Sequence, residues 1–179
     1  MRAGVGRAST PDALREERTR ALARRGHAAT AAAAARSYLV CACGADRFGL
    51  ALGQVAQVLP GRVPTPLPGA PPAILGLIAL SGRVVSLLAL ARALGRSADA
   101  DHAAGHVVLV RGATIPVALA VDRVVGVAEI PDAALDTAYS DAGLSAEAVS
   151  GYAPAGAGPG AESGFVVVDL PRLVRRYFS

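Results

Sequence analysis

Two cysteines, three histidines and a few acids are the residues of this chain whose types could do chemistry. Cys41 and Cys43 stand two apart in the β-rich stretch Ser37–Cys43, so both thiols point to one face of a strand. With His102 and His106 they would offer four soft donors, but a C-x-C pair without a second cysteine pair is a poor zinc pattern. A disulfide between residues i and i+2 would be strained, and free Cys behaves as a small buried hydrophobe. The expectation is two reduced core cysteines and no metal. His27 lies in an N-terminal arm, away from any such cluster. No Ser occupies a G-x-S-x-G elbow, and Ser81 precedes Gly82 in what reads as a hairpin turn. Gly156-Ala157-Gly158-Pro159-Gly160 lacks a following Lys and Ser/Thr, so no phosphate cradle is expected. Asp122 and Asp169 read as caps, Asp169 at the N-cap of a terminal helix with Pro171 in its first turn. No catalytic constellation and no cofactor emerges. What remains is apolar strand surface, which points to a protein-binding module.

The elements that must carry this surface begin after a distinct arm. The chain has 179 residues, a formal net charge of +4 and 18 basic residues, every one of them Arg. Residues 1–36 hold eight Arg and three acids, a balance of 8 − 3 = +5. Residues 37–179 hold the other ten Arg and eleven acids, a balance of −1. The basicity therefore belongs to the arm, where Thr10-Pro11-Asp12 opens a helix over about residues 11–25 and an Ala-rich link follows. Arg24-Arg25 precedes no convincing apolar region, so an export signal is not expected. The arm is read as partly disordered or a frayed helix. A second class of function follows from it: a β-rich protein that uses a basic arm on nucleic acid or an anionic membrane surface. The body has neither a basic stripe nor an aromatic platform, so no specific nucleic acid is expected. No apolar run is long enough to span a membrane.

From Ser37 onward the pattern is short strands punctuated by turns. Ser37–Cys43 and Arg47–Leu52 form a hairpin, and Gln54–Val58 is a helical turn or an extended edge. Pro60 to Pro72 holds six prolines and reads as an ordered extended connection. Ile74–Leu80 and Arg83–Leu88 form a second hairpin, and a short helix over Leu90–Leu94 ends at Gly95. His106–Arg111 pairs with Ile115–Val121, and Asp122–Ile130 follows with a bend at Gly126. Pro131–Asp141 and Ala153–Ser163 read as loops, the second one mobile. Phe165–Val168 is a last strand and Leu170–Phe178 a terminal helix, with Leu173 and Val174 inward and Arg175 and Arg176 outward. Nine or ten short strands and three short helices make a mainly-β barrel or sandwich, with no βαβ unit.

The order of these segments resembles the CheW-like domain of bacterial chemotaxis coupling proteins. Val55-Ala-Gln-Val58 is similar to that family's "V-x-E-V/I" turn, and Gly76-Leu-Ile-Ala-Leu-Ser-Gly82 to its "G-x-x-N-L-R-G". Arg83–Leu90 occupies the place of "x-x-x-P-V-V-D-L", Val117–Gly126 that of "G-L-x-V-D-x-V", and Gly164–Leu173 the closing strand and helix. The resemblance spans about residues 37–178. It implies two small SH3-like β-barrel subdomains packed together over 37–179, and a non-enzymatic, cytoplasmic scaffold. The implied partners are a chemoreceptor cytoplasmic tip and the regulatory domain of a chemotaxis histidine kinase. Carried over by position, Val55 and Val107 would line the receptor groove. Ser81, between Leu80 and Gly82, stands where the family has its receptor-contacting Arg, and Gln57 and Val58 fall in the kinase-contact region. Gly49, Gly76, Leu80, Gly82, Leu90 and Asp122 keep the family pattern, whereas Ala79, Ser81, Ser86, Ala89 and Ala91 depart from its Asn, Arg, Pro, Asp and Arg. Loss of an interfacial Arg removes a charge-assisted hydrogen bond worth roughly 1.5–3 kcal/mol, so receptor binding is expected to be altered or weakened.

Overall fold

The computed structural model describes residues 34–97, 104–139 and 143–178. The expected arm helix, His27 and His102 lie outside these. Ten strands run in chain order: β1 (Ala35–Cys43), β2 (Asp46–Ala51), β3 (Val55–Pro60), β4 (Ile74–Leu80), β5 (Arg83–Ala89), β6 (His106–Val110), β7 (Val117–Val121), β8 (Arg123–Pro131), β9 (Val149–Ala153) and β10 (Phe165–Val168). Two helices accompany them, α1 (Leu90–Ala93) and α2 (Leu170–Phe178). They form two five-stranded sheets, β8-β1-β2-β10-β9 and β3-β6-β7-β5-β4.

The two sheets share one plan. Each has an antiparallel run, one parallel contact, β10 with β2 or β5 with β7, and a last antiparallel pair at the far edge. Each then closes on itself through the segment that follows its first edge strand. Thr65, after β3, exchanges two backbone hydrogen bonds with Leu77 of β4, at 2.8 and 2.9 Å. Asp136, after β8, does the same with Tyr152 of β9, both at 2.9 Å. Closure removes the open edges that a small sheet would otherwise present. The result is a pair of SH3-like barrels, here barrel 1 (β1, β2, β8–β10) and barrel 2 (β3–β7).

A glycine makes each closure possible. Gly76 and Gly151 precede the two bridging residues, at φ 140° and 155°, and each lies at a bulge in its ladder. A Cβ on Gly76 would overlap the Thr65 carbonyl, and one on Gly151 would come within 2.9 Å of the Asp136 oxygen. Both glycines let backbone approach backbone where a side chain cannot fit.

Barrel 2 is inserted within barrel 1. The chain crosses from β2 to β3 through a single 3-10 turn, Leu52–Gln54, and returns through Asp122 alone, between β7 and β8. Asp122 Oδ2 accepts a 2.6 Å hydrogen bond from the Gly44 amide in the β1–β2 turn. The retained Asp thus ties the return crossing to the first hairpin. A core cluster containing Leu39, Cys41 and Leu50 of barrel 1 and Leu88, Leu119 and Val121 of barrel 2 lies between the barrels, joined by Leu90 and Leu170 of the helices. Tyr38 and Val40, on the opposite face of β1, enter a separate barrel 1 core. Period-2 alternation on one strand thus feeds two cores.

The hairpins, the α1 stop at Gly95 (φ 90°) and α2 agree with the sequence reading. Asp169 caps α2 through its Oδ1, which accepts the Arg172 amide at 3.0 Å. Three findings differ. β1 begins at Ala35, two residues before Ser37. β9 lies in a stretch that carries no strand signal, because Gly151 interrupts its alternation. The Gly-rich segment expected to be mobile is docked: Pro159 O accepts the Glu129 amide at 2.9 Å, and Gly158 and Gly160 pack on β8 carbonyls with no room for a Cβ.

Gly76→Ala should lose about 1–3 kcal/mol of stability, more than Gly44→Ala, where φ is also positive but the Cβ would meet nothing. Asp169→Ala should cost about 1 kcal/mol through the lost cap. Urea unfolding of the variants checks both, and equal losses at Gly76 and Gly44 would refute the closure argument.

Candidate functional site

Among the described residues no group of three or more His, Cys, Asp or Glu comes together. Cys41 and Cys43 are free, lie on one face of β1 and are buried in the core between the barrels. Burial pushes both thiols up to about 12 from an ordinary 9.0, the effect being largest by desolvation at each. A thiol held protonated at neutral pH is neither a nucleophile nor a ready metal ligand. His106 starts β6 in barrel 2, paired with Val121 and Pro60, and forms no cluster with the cysteines. Asp122 and Asp169 serve a turn and a helix cap, as their positions in the sequence suggest.

The carried-over contact positions fall into three groups. Gln57 and Val58 are exposed on β3, an edge strand of barrel 2. Ser81 and Gly82 are exposed in the two-residue turn between β4 and β5, where Leu80 pairs with Arg83. Both turn residues have positive φ, 47° and 76°, the signature of a type I′ hairpin. Val55, Leu80 and Val107 are core residues instead. Val107 is 0% exposed and packs with Leu80, Ile78 and Val85 inside barrel 2. Val55 belongs to the core between the barrels. The expectation that Val107 lines a groove is therefore corrected: its side chain has no surface to offer, and Val55 has little. Neighbouring Val107 and Val108 are both buried because β6 has a core on each face.

The exposed apolar surface lies beside these positions. Leu52 and Val58 flank Val55, Val63 and Leu67 stand out from the proline-rich connection, and Val84 is 64% exposed at the start of β5. The signal for Val84 was in the sequence: in Val84-Val85 at a strand start, one side chain must face away from the core. Barrel 2 thus presents apolar groups on β3, on the connection and on the β4–β5 hairpin. Gln57 and Ser81 are exposed in the same segments, as are Arg62 and Arg83. Exposed apolar groups of this kind are common in the buried core of protein interfaces.

Comparison with known proteins supplies a family. A model described as "CheW-like domain" matches residues 37–178. No curated protein matches. Among solved structures the fold is similar to scaffolding protein TtCheW from Thermoanaerobacter tengcongensis, with a TM-score of 0.66 and 19% identity over 76% of this chain and 86% of that one.

Neither cysteine should react with Ellman's reagent in the native protein at pH 7–8, and both should react in denaturant. Because their folded pKa values are raised, stability from this source is fully present below pH 9 and declines as pH rises toward 12. Urea unfolding at pH 8 and pH 10.5 checks the sign: the midpoint should fall.

Proposed function

We propose that this chain, which belongs to the CheW-like domain family, couples a chemoreceptor's cytoplasmic tip to the regulatory domain of a chemotaxis histidine kinase. Proteins of this family are scaffolds without catalytic activity, and the fold here is the scaffold fold. The observation that carries the reading is the family match over residues 37–178, nearly everything beyond the Arg-rich arm. The exposed apolar groups of barrel 2 support it, since such groups drive association when desolvated by a partner. No described helix is long and apolar enough to cross a membrane, in keeping with a cytoplasmic adaptor that meets the receptor at its tip. The kinase contact is assigned to Gln57 and Val58 on β3, and the receptor contact to the hairpin around Ser81.

The test is binding of the purified chain to the regulatory domain of a chemotaxis kinase from the same cell. Binding in the micromolar range or tighter is expected, and no binding at high micromolar concentration would sink the role. Deleting residues 1–34, which leaves β1 whole, should leave this binding intact. Its disappearance would shift the reading to electrostatic capture by the arm. Ser81→Arg should tighten receptor association about tenfold or more, since one added charge-assisted hydrogen bond is worth roughly 1.5–3 kcal/mol. An unchanged affinity would mean that this hairpin does not face the receptor.

A further inference from the structure

A cavity of about 360 Å³ lies between the β6–β7 turn and α2, with Gln54, just before β3, at its border. Its apolar lining includes Val110 and Ile115 on one wall and Pro171, Val174 and Phe178 on the other. The helix residues recur at i, i+3 and i+7, so one face of α2 lines the cavity while Leu173 enters the core. Ile115 is exposed, and Val174 and Phe178 are half-buried rather than packed away.

The charge in this cavity has one sign. Arg111 lines the strand wall and Arg175 the helix wall, with no Asp or Glu in the lining. Arg111 Nε and Nη2 both donate to the Val55 carbonyl, at 3.4 and 3.2 Å. Arg175 Nε donates to the Pro171 carbonyl at 3.3 Å. Among the described residues neither guanidinium is ion-paired. Glu147 shares the neighbouring hollow with Arg172, Arg175 and Arg176 but makes no ion pair with Arg175, and Arg172 is committed to Asp169 at 3.3 Å. Each guanidinium carries five N–H donors, so both retain donors beyond those bonds. Carboxylates and phosphates both meet such a donor set; the apolar walls beside it suit the side chains of a polypeptide, whose own anionic groups are carboxylates.

We infer that this cavity docks an acidic segment of a partner protein, with a large apolar side chain in the cavity and flanking carboxylates on Arg111 and Arg175. Charge complementarity selects this occupant. The chain's own arm, with seven Arg and three acids over residues 1–34, a balance of 7 − 3 = +4, would be repelled. The inference is separate from the coupling role: the cavity borders the start of β3 through Gln54, but Gln57, Val58 and Ser81 are not in its lining.

The probe is the hexapeptide acetyl-Glu-Asp-Phe-Leu-Glu-Asp-amide, titrated into the full chain labelled with 15N. Amide shifts confined to residues 110–115 and 170–178 are expected, as is weakening of at least tenfold by Arg175→Glu. Arg123→Glu, a charge change on β8, should leave the affinity unchanged and serves as the control. No shifts at millimolar peptide would overturn the proposal. Shifts that map elsewhere, or equal binding of a peptide with Lys at every acidic position, would do the same. Self-association of the chain, lost in Arg175→Glu, would assign the cavity to a second copy and likewise overturn it. None of these outcomes bears on kinase binding, so the two readings fail separately.

Discussion

The core between the barrels is the constraint on which the rest depends. Two barrels of five strands each are too small to bury much apolar surface alone. Here they are joined through Leu39, Cys41 and Leu50 on one side and Leu88, Leu119 and Val121 on the other. Barrel 2 leaves and re-enters barrel 1 through one 3-10 turn and one residue, so neither crossing has slack. The cysteines fill this core without chemistry, as small hydrophobes between larger ones. With aromatics at only 4%, space must be matched by other means. Gly49 shows how in the separate barrel 1 core: a Cβ there would strike the Phe165 ring, so the retained glycine makes the room that one of the few rings requires.

The repeated closure follows from the same economy. Each barrel brings a segment after its first edge strand against its last strand, and each needs a glycine at the approach. The helices that follow β5 and β10 then cover the shared core from equivalent places, with Leu90 and Leu170 both fully buried. They differ at the cap. Asp169 caps nine-residue α2, whereas Ala89 gives four-residue α1 no side-chain bond. The uncapped helix is held instead by burial, since Leu90, Ala91 and Ala93 all enter the core.

Where local chemistry decided structure, the sequence was legible. The Ser81-Gly82 turn, the Gly95 stop and the Asp169 cap each depend on residues a few positions apart. What was not legible depends on tertiary partners. β9 exists because Asp136 and Val166 supply its ladders, not because Val149–Ala153 alternates. The Gly-rich segment after it docks on β8 through small residues whose use is invisible without the strand beneath them. Val107 was misread for a related reason. A residue carried over by position arrives without its side-chain direction, and a strand with a core on each face shows no alternation to correct it.

The departures from the family pattern divide along the same line. Ala89 and Ala91 are buried, and Ala91 packs in the core between the barrels, where an unpaired guanidinium would be costly. These two changes are answered within the fold. Ala79 and Ser81 are exposed, and neither makes a hydrogen bond from its side chain that the barrel needs. Nothing inside the molecule would notice an Asn or an Arg there, apart from the positive φ that Ser81 already tolerates. A selective requirement on those two positions can therefore act only from outside the chain. Both polar groups are lost from one exposed hairpin, which keeps an exposed Arg83 and an outward Val84. In the coupling role proposed above, the hairpin would offer a partner the Arg83 charge, the Val84 side chain and the fixed type I′ turn.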